Sequence, residues 1–133
     1  MNQLFGVVKN VRFEGAIAIA EMRAAKMNFA ALLVEEAQSC PYLKAGENVQ
    51  ILFKETEVAI AKNLSGMISL RNRNFGIVKN VEFSELLCEI IIDANGSEIC
   101  SIITAESAKK MDIKIGDQVE WLVKTNEISL RAI

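Results

Sequence analysis

Three short clusters carry side chains able to grip a ligand. Ser69-Leu70-Arg71-Asn72 puts a hydroxyl, a guanidinium and an amide into four residues. Lys124 and Thr125 follow the apolar stretch ending at Val123, and Lys54 stands at the matching place after Phe53. Thr104 and Ser107 flank the start of "TAESAKKM". Nearly all of these groups donate hydrogen bonds. A donor-only set suits a small tetrahedral oxyanion that carries no proton, because every ligand oxygen then accepts. Partly protonated phosphate would want an acceptor in the same place, and leaving its O–H unpaired costs about 1–3 kcal/mol. Sulfate would have to be excluded by cavity size. Each cluster also has a plain structural reading: a solvated linker, strand-end lysines in water, and a helix cap.

Other chemistries lack their residues. The 133 residues include no histidine, which removes the commonest general base and the commonest transition-metal ligand. The cysteines Cys40, Cys88 and Cys100 are widely spaced with no C-x-x-C, so a zinc site is not expected, and they read as reduced, partly buried apolar residues. No Gly-rich phosphate loop or G-x-S-x-G elbow is present, so an enzyme is unsupported. Lys+Arg number 15 against 17 Asp+Glu, net -2, with both signs scattered, which argues against a nucleic-acid binder. No stretch is long and apolar enough to span a bilayer, and residues 1–10 do not read as a secretory leader, so a cytoplasmic protein with no membrane partner is expected. Apolar residues make up 51% of the chain and mean hydropathy is +0.24, rich for so small a protein. Apolar surface closing against another subunit is the expected outlet.

The elements that must position the clusters come in duplicate. An offset of 70 residues lays "FGVVKNV" from Phe5 on "FGIVKNV" from Phe75. Further on it lays Lys44 on Lys114, Gly46 on Gly116, Val49 on Val119, Leu52 on Leu122, Lys54 on Lys124 and Glu57 on Glu127, without a gap. The chain divides into residues 1–63, a joint at 64–68, and residues 69–133. Within the second half, alternation at Phe75, Ile77, Val81 and Phe83 predicts a strand. Leu86–Asp93 and Glu98–Thr104 predict two more, joined by the Asn-Gly turn of "ANGS". A short helical turn follows Thr104, then strands at Val119–Val123 and Glu127–Arg131. The first half repeats the order, with Glu35–Tyr42 in the helical place. The fold class expected is all-β: two tandem OB-like five-stranded small barrels, each with a short helical turn. Ile90-Ile91-Ile92 is apolar on both faces of its strand and again points to an oligomer.

The order Ser-x-Arg-Asn, a glycine-bearing first strand, an apolar hairpin, Thr-x-x-Ser before a helical turn, and Lys-x-turn before the last strand resembles the molybdate-binding Mop (TOBE) domain. The tandem arrangement resembles a di-Mop molbindin. The resemblance spans nearly the whole chain and is stronger in the second half. It implies OB-like barrels assembled into a homo-oligomer, a trimer before a dimer, with molybdate or tungstate bound between units and no covalent cofactor. Carried over by position, it assigns oxyanion binding to Ser69, Arg71, Asn72, Lys124 and Thr125, with Lys54 the first-half counterpart of Lys124. Thr104 and Ser107 match positions near a second kind of site.

The first half departs from the pattern. Asn2 and Gln3 match only the end of the motif, Val34 and Ala37 replace the hydroxyls, and Glu55 sets a negative charge beside Lys54. Sites built from that half are expected to be weaker or lost. No helix-turn-helix and no ATPase motif accompanies the repeat, so the resemblance implies storage or buffering of the oxyanion. The alternative is a protein-interaction or regulatory module of the same fold with reduced or lost anion binding.

Overall fold

The computed structural model describes residues 1–34 and 40–133. The first half supplies β1 (Asn2–Glu14), β2 (Ile17–Ala24), β3 (Met27–Val34), β4 (Asn48–Phe53) and β5 (Ala59–Ala61). The second supplies β6 (Asn72–Phe83), β7 (Leu87–Ala94), β8 (Ser97–Thr104), α1 (Ala105–Lys110), β9 (Gln118–Val123) and β10 (Ser129–Ala132). The architecture is the expected one: all-β, five strands from each half. The helical turn of the second half is α1, capped by the Thr104 hydroxyl, which accepts from the Ser107 N–H at 3.1 Å. Most of the corresponding expectation for Glu35–Tyr42 lies outside the described residues.

One boundary needs correction. The last strand was expected from Glu127, but Thr125–Glu127 forms a 3-10 turn and β10 begins at Ser129. The Glu127 N–H donates to the Lys124 carbonyl at 3.0 Å, which curls the chain before it can extend. Glu55–Glu57 forms the same turn in the first half.

Pairing of the fifth strands is the feature that alternation did not reveal. The two antiparallel sheets run β10-β4-β1-β2-β3 and β5-β9-β6-β7-β8, so the halves exchange their last strands. Leu130 pairs with Ile51 of the first half, and Ile60 pairs with Trp121 of the second. Val58 and Ile128, both buried, anchor the five-residue connectors that carry the strands across. The core is consequently continuous between halves. Trp121 is fully buried, with Phe29 and Phe53 of the first half each 5.9 Å from it between ring centroids. Burying such large rings contributes roughly 1.5–3 kcal/mol each. That places much of the stability in the joint rather than in either half.

The repeated phrase has a steric reason. A Cβ on Gly6 would lie 2.9 Å from the Arg23 carbonyl oxygen, and one on Gly76 would lie 2.8 Å from that of Asp93. Only glycine lets these strands close on their neighbours. Immediately after, the register slips between Val8 and Asn10 and again between Val78 and Asn80, a β-bulge at Lys9 and at Lys79. A bulge bends the strand and re-aims a side chain.

Two asparagines lock the halves together in the same way. Asn72, 1% exposed, accepts from the Ala30 N–H at 2.7 Å and donates to the Ala30 carbonyl at 2.9 Å. Asn2 accepts from the Cys100 N–H and donates to the Cys100 carbonyl, both at 2.8 Å. Each amide thus continues the ladder on the free edge of β3 or β8, satisfying backbone groups that would otherwise be unpaired.

Candidate functional site

The Asn72 clasp fixes where the joint motif lies. Because Asn72 is tied to Ala30, Arg71 is laid beside β3, and its guanidinium reaches Glu21 on β2 at 3.5 Å. A cavity of about 340 Å³ opens there, lined by Lys9, Glu21, Asn28, Arg71 and Asn72 over an apolar floor that includes Phe29. Lys9 arrives from the β1 bulge. Asn28 stands opposite Arg23 in the ladder and accepts from its guanidinium at 2.9 Å, leaving the amide N–H₂ as its remaining donor. Four cations, Lys9, Arg12, Arg23 and Arg71, surround the Glu21 carboxylate. Arg12 lies 3.8 Å from it, and the Asn10 amide donates to it at 3.4 Å. The cluster is solvent-facing and carries a surplus of positive charge, so it can hold a second anion beside Glu21.

The structure gathers only part of the expected set. Arg71 and Asn72 line this cavity, but both polar ends of the Asn72 amide are already used by Ala30. Ser69 is exposed in a bend outside it. Lys124 is exposed and opens the 3-10 turn Thr125–Glu127, which packs against the same strand β3 that Asn72 clasps. Lys54 opens the equivalent turn against β8, where its backbone N–H donates to Glu57 at 2.8 Å. Glu55 beside it pairs with the terminal amine of Met1, which holds its carboxyl below the usual range. Thr104 and Ser107 bond each other, hydroxyl to hydroxyl at 2.9 Å, beside a separate, larger hollow with Glu106 and Lys109 on its wall. There the capping reading is the one seen.

Burial raises the pKa of Glu127, assisted by a hydrogen bond from and the charge of Glu57, while Lys124 opposes the shift. These two glutamates are equivalent under the 70-residue offset and meet where the strands cross. Among the described residues no group of three His, Cys, Asp or Glu side chains could hold a metal ion.

Lys9, Glu21 and Asn28 were not singled out from sequence. A signal existed in the differences between halves: Glu21 falls on Ile91 and Asn28 on Glu98, so the repeat itself marks these positions as not simply architectural. Glu21 also brings an acceptor into a set otherwise made of donors.

The comparisons with known proteins bear on the fold and family. The TOBE domain matches residues 68–130. The cytoplasmic molybdate-binding protein ModG, in a crystal form with molybdate bound, is 23% identical, covers 99% of this chain and 96% of its own, and superposes with a TM-score of 0.94. A molybdate-binding protein from Sporomusa ovata is 34% identical over 44% of this chain and 88% of its own, with a TM-score of 0.44. No curated protein sequence matches the chain. No helix among the described residues is long and apolar enough to cross a membrane. The ModG likeness establishes the arrangement of two OB-like units in tandem. With that fold along its length and the domain signature in its second half, the chain belongs to the TOBE domain family.

Proposed function

We propose that the protein binds molybdate or tungstate in the cytoplasm and stores or buffers it, acting as a binding protein and not as an enzyme. The observation that carries this reading is the Arg71–Lys9–Asn28 donor cluster at the joint, in a fold shared with a protein solved with molybdate bound. Molybdate and tungstate are dianions with acceptor oxygens only, and the surplus of guanidinium, ammonium and amide donors matches them. Arg71 is the principal ligand in this reading. Lys124 and Thr125, on the turn packed against β3, complete sites when copies of the chain assemble. Ser69, Thr104, Ser107 and Lys54 are secondary positions, and Asn72 acts by holding Arg71 in place. The assembly is a homo-oligomer, a trimer before a dimer, supported by exposed Phe5, Phe75, Leu86 and Ile115 on the outer faces.

Calorimetric titration of the full chain with molybdate, tungstate, sulfate and phosphate tests the reading. Binding of the first two at micromolar concentration, weakened at least about tenfold by Arg71→Ala, supports it. Absence of heat from molybdate and tungstate contradicts it and leaves the protein-interaction alternative.

A further inference from the structure

The 70-residue offset relates not only the cores but also the outer faces of the two sheets, and there the charges invert. Arg12 falls on Glu82, Ile19 on Glu89, Arg23 on Asp93 and Asn28 on Glu98. At the hairpin end of each sheet sits a hollow in an equivalent position. One, about 360 Å³, is lined by Arg12, Phe13, Ile17 and Ile19. The other, about 310 Å³, is lined by Glu82, Phe83, Leu87 and Glu89. Both have exposed apolar walls: Phe13 42%, Ile17 39%, Phe83 46% and Leu87 48% exposed. The apolar residues are conserved in character between the halves, and only the sign of the charge differs.

The acidic face is also under electrostatic load. Glu82 stands directly opposite Glu89 in the ladder, and Asp93 directly opposite Glu98. Like charges in cross-strand register are destabilising. Among the described residues, none of the four has a cation within ion-pair distance. A chain that sets two like-charged pairs on one sheet face, beside exposed phenylalanine and leucine, gains when an external cationic and apolar surface covers that face. The chain carries such a surface itself, in the equivalent place on its other half.

We propose that the Arg12–Phe13–Ile17 face of one copy docks on the Glu82–Phe83–Leu87 face of a second copy, so that the first half of each chain contacts the second half of the next. Like faces repel, so basic meets acidic only, and the contact fixes which half meets which. The inference rests on the self-assembly proposed above but not on the anion.

The test is sedimentation analysis of the full chain in low and high salt, with two charge-reversal variants. Arg12→Glu/Arg23→Glu leaves two acidic faces, and Glu82→Arg/Glu89→Arg leaves two basic ones. The expected result is an oligomer that weakens as salt rises, about 10- to 100-fold weaker association in each variant alone, and renewed association when the two are mixed. Recovery on mixing excludes misfolding as the cause. A wild-type chain that is monomeric overturns both the assembly and the assignment of faces. A wild-type oligomer whose association is unchanged in both variants, or variants that stay apart when mixed, overturns the assignment alone.

Discussion

Replacing Asn72 separates a structural clasp from a ligand donor. Asn72→Ala deletes two hydrogen bonds, 2.7 and 2.9 Å long, to the N–H and carbonyl of Ala30. Ala30 is buried, so both backbone groups are left without partners. Each such group costs roughly 1–3 kcal/mol, and partial entry of water into the vacated space sets the sum at about 2–4 kcal/mol. With a urea slope of about 2 kcal/mol per molar, the unfolding midpoint falls by about 1–2 M. Trp121, the sole tryptophan and fully buried between the halves, reports the transition by fluorescence at fixed protein concentration. Asn72→Asp keeps the acceptor for the Ala30 N–H but sets a carboxylate oxygen against the Ala30 carbonyl, so it costs at least as much. Asn2→Ala removes two bonds of 2.8 Å to the half-buried Cys100 and costs less, about 1–2 kcal/mol, because water can replace them. An Asn72→Ala midpoint within about 0.3 M of wild type, a shift of under 1 kcal/mol, would refute the clasp. So would a larger loss from Asn2→Ala.

The first hairpin turn, Ala25 (φ 48°) and Lys26 (φ 63°), takes a left-handed shape that the second half builds from Asn95 and Gly96. Ala25→Asn/Lys26→Gly is therefore expected to stabilise the chain by about 1–2 kcal/mol in urea; an unchanged midpoint contradicts this. Glu127 holds its proton more tightly when folded than when unfolded, through burial first and then Glu57. Its contribution is present at acid pH and is lost as pH rises through the raised value. Glu127→Gln should thus raise Tm at neutral pH, with the gain vanishing below about pH 4; a gain independent of pH argues against it. Glu21 sits 3.5 Å from Arg71 and repels an incoming dianion. Removing its charge with Glu21→Gln should tighten molybdate binding about five- to tenfold in low salt, read by calorimetry, and unchanged or weaker binding would count against Arg71 as the anchor.

Most of the fold could be read from residue order. Period-two alternation located the strands, "ANGS" located a hairpin, and Thr104 located the helix cap, because each depends on neighbours in sequence. Exchange of β5 and β10 could not be read this way. The connectors Lys54–Val58 and Lys124–Ile128 are the same length and pattern whichever sheet receives the strand, and only the long-range placement of Val58, Ile128 and Trp121 decides. The site was half legible. Arg71 stood out by type and place, and Asn72 stood out for the same reason, yet its amide is consumed by Ala30. Lys9 was taken as architecture because it repeats at Lys79, while its aim depends on a bulge. Glu21 and Asn28 reach the cavity from separate strands, a proximity that ladder register creates and local pattern does not.

Native mass spectrometry of the full chain, with and without molybdate, tests the central claim most directly, since one spectrum reports subunit number and bound anions together. The account predicts a homo-oligomer carrying molybdate in whole-number steps, and loss of adducts with Arg71→Ala. A monomer without molybdate adducts, at concentrations where calorimetry would detect binding, contradicts it.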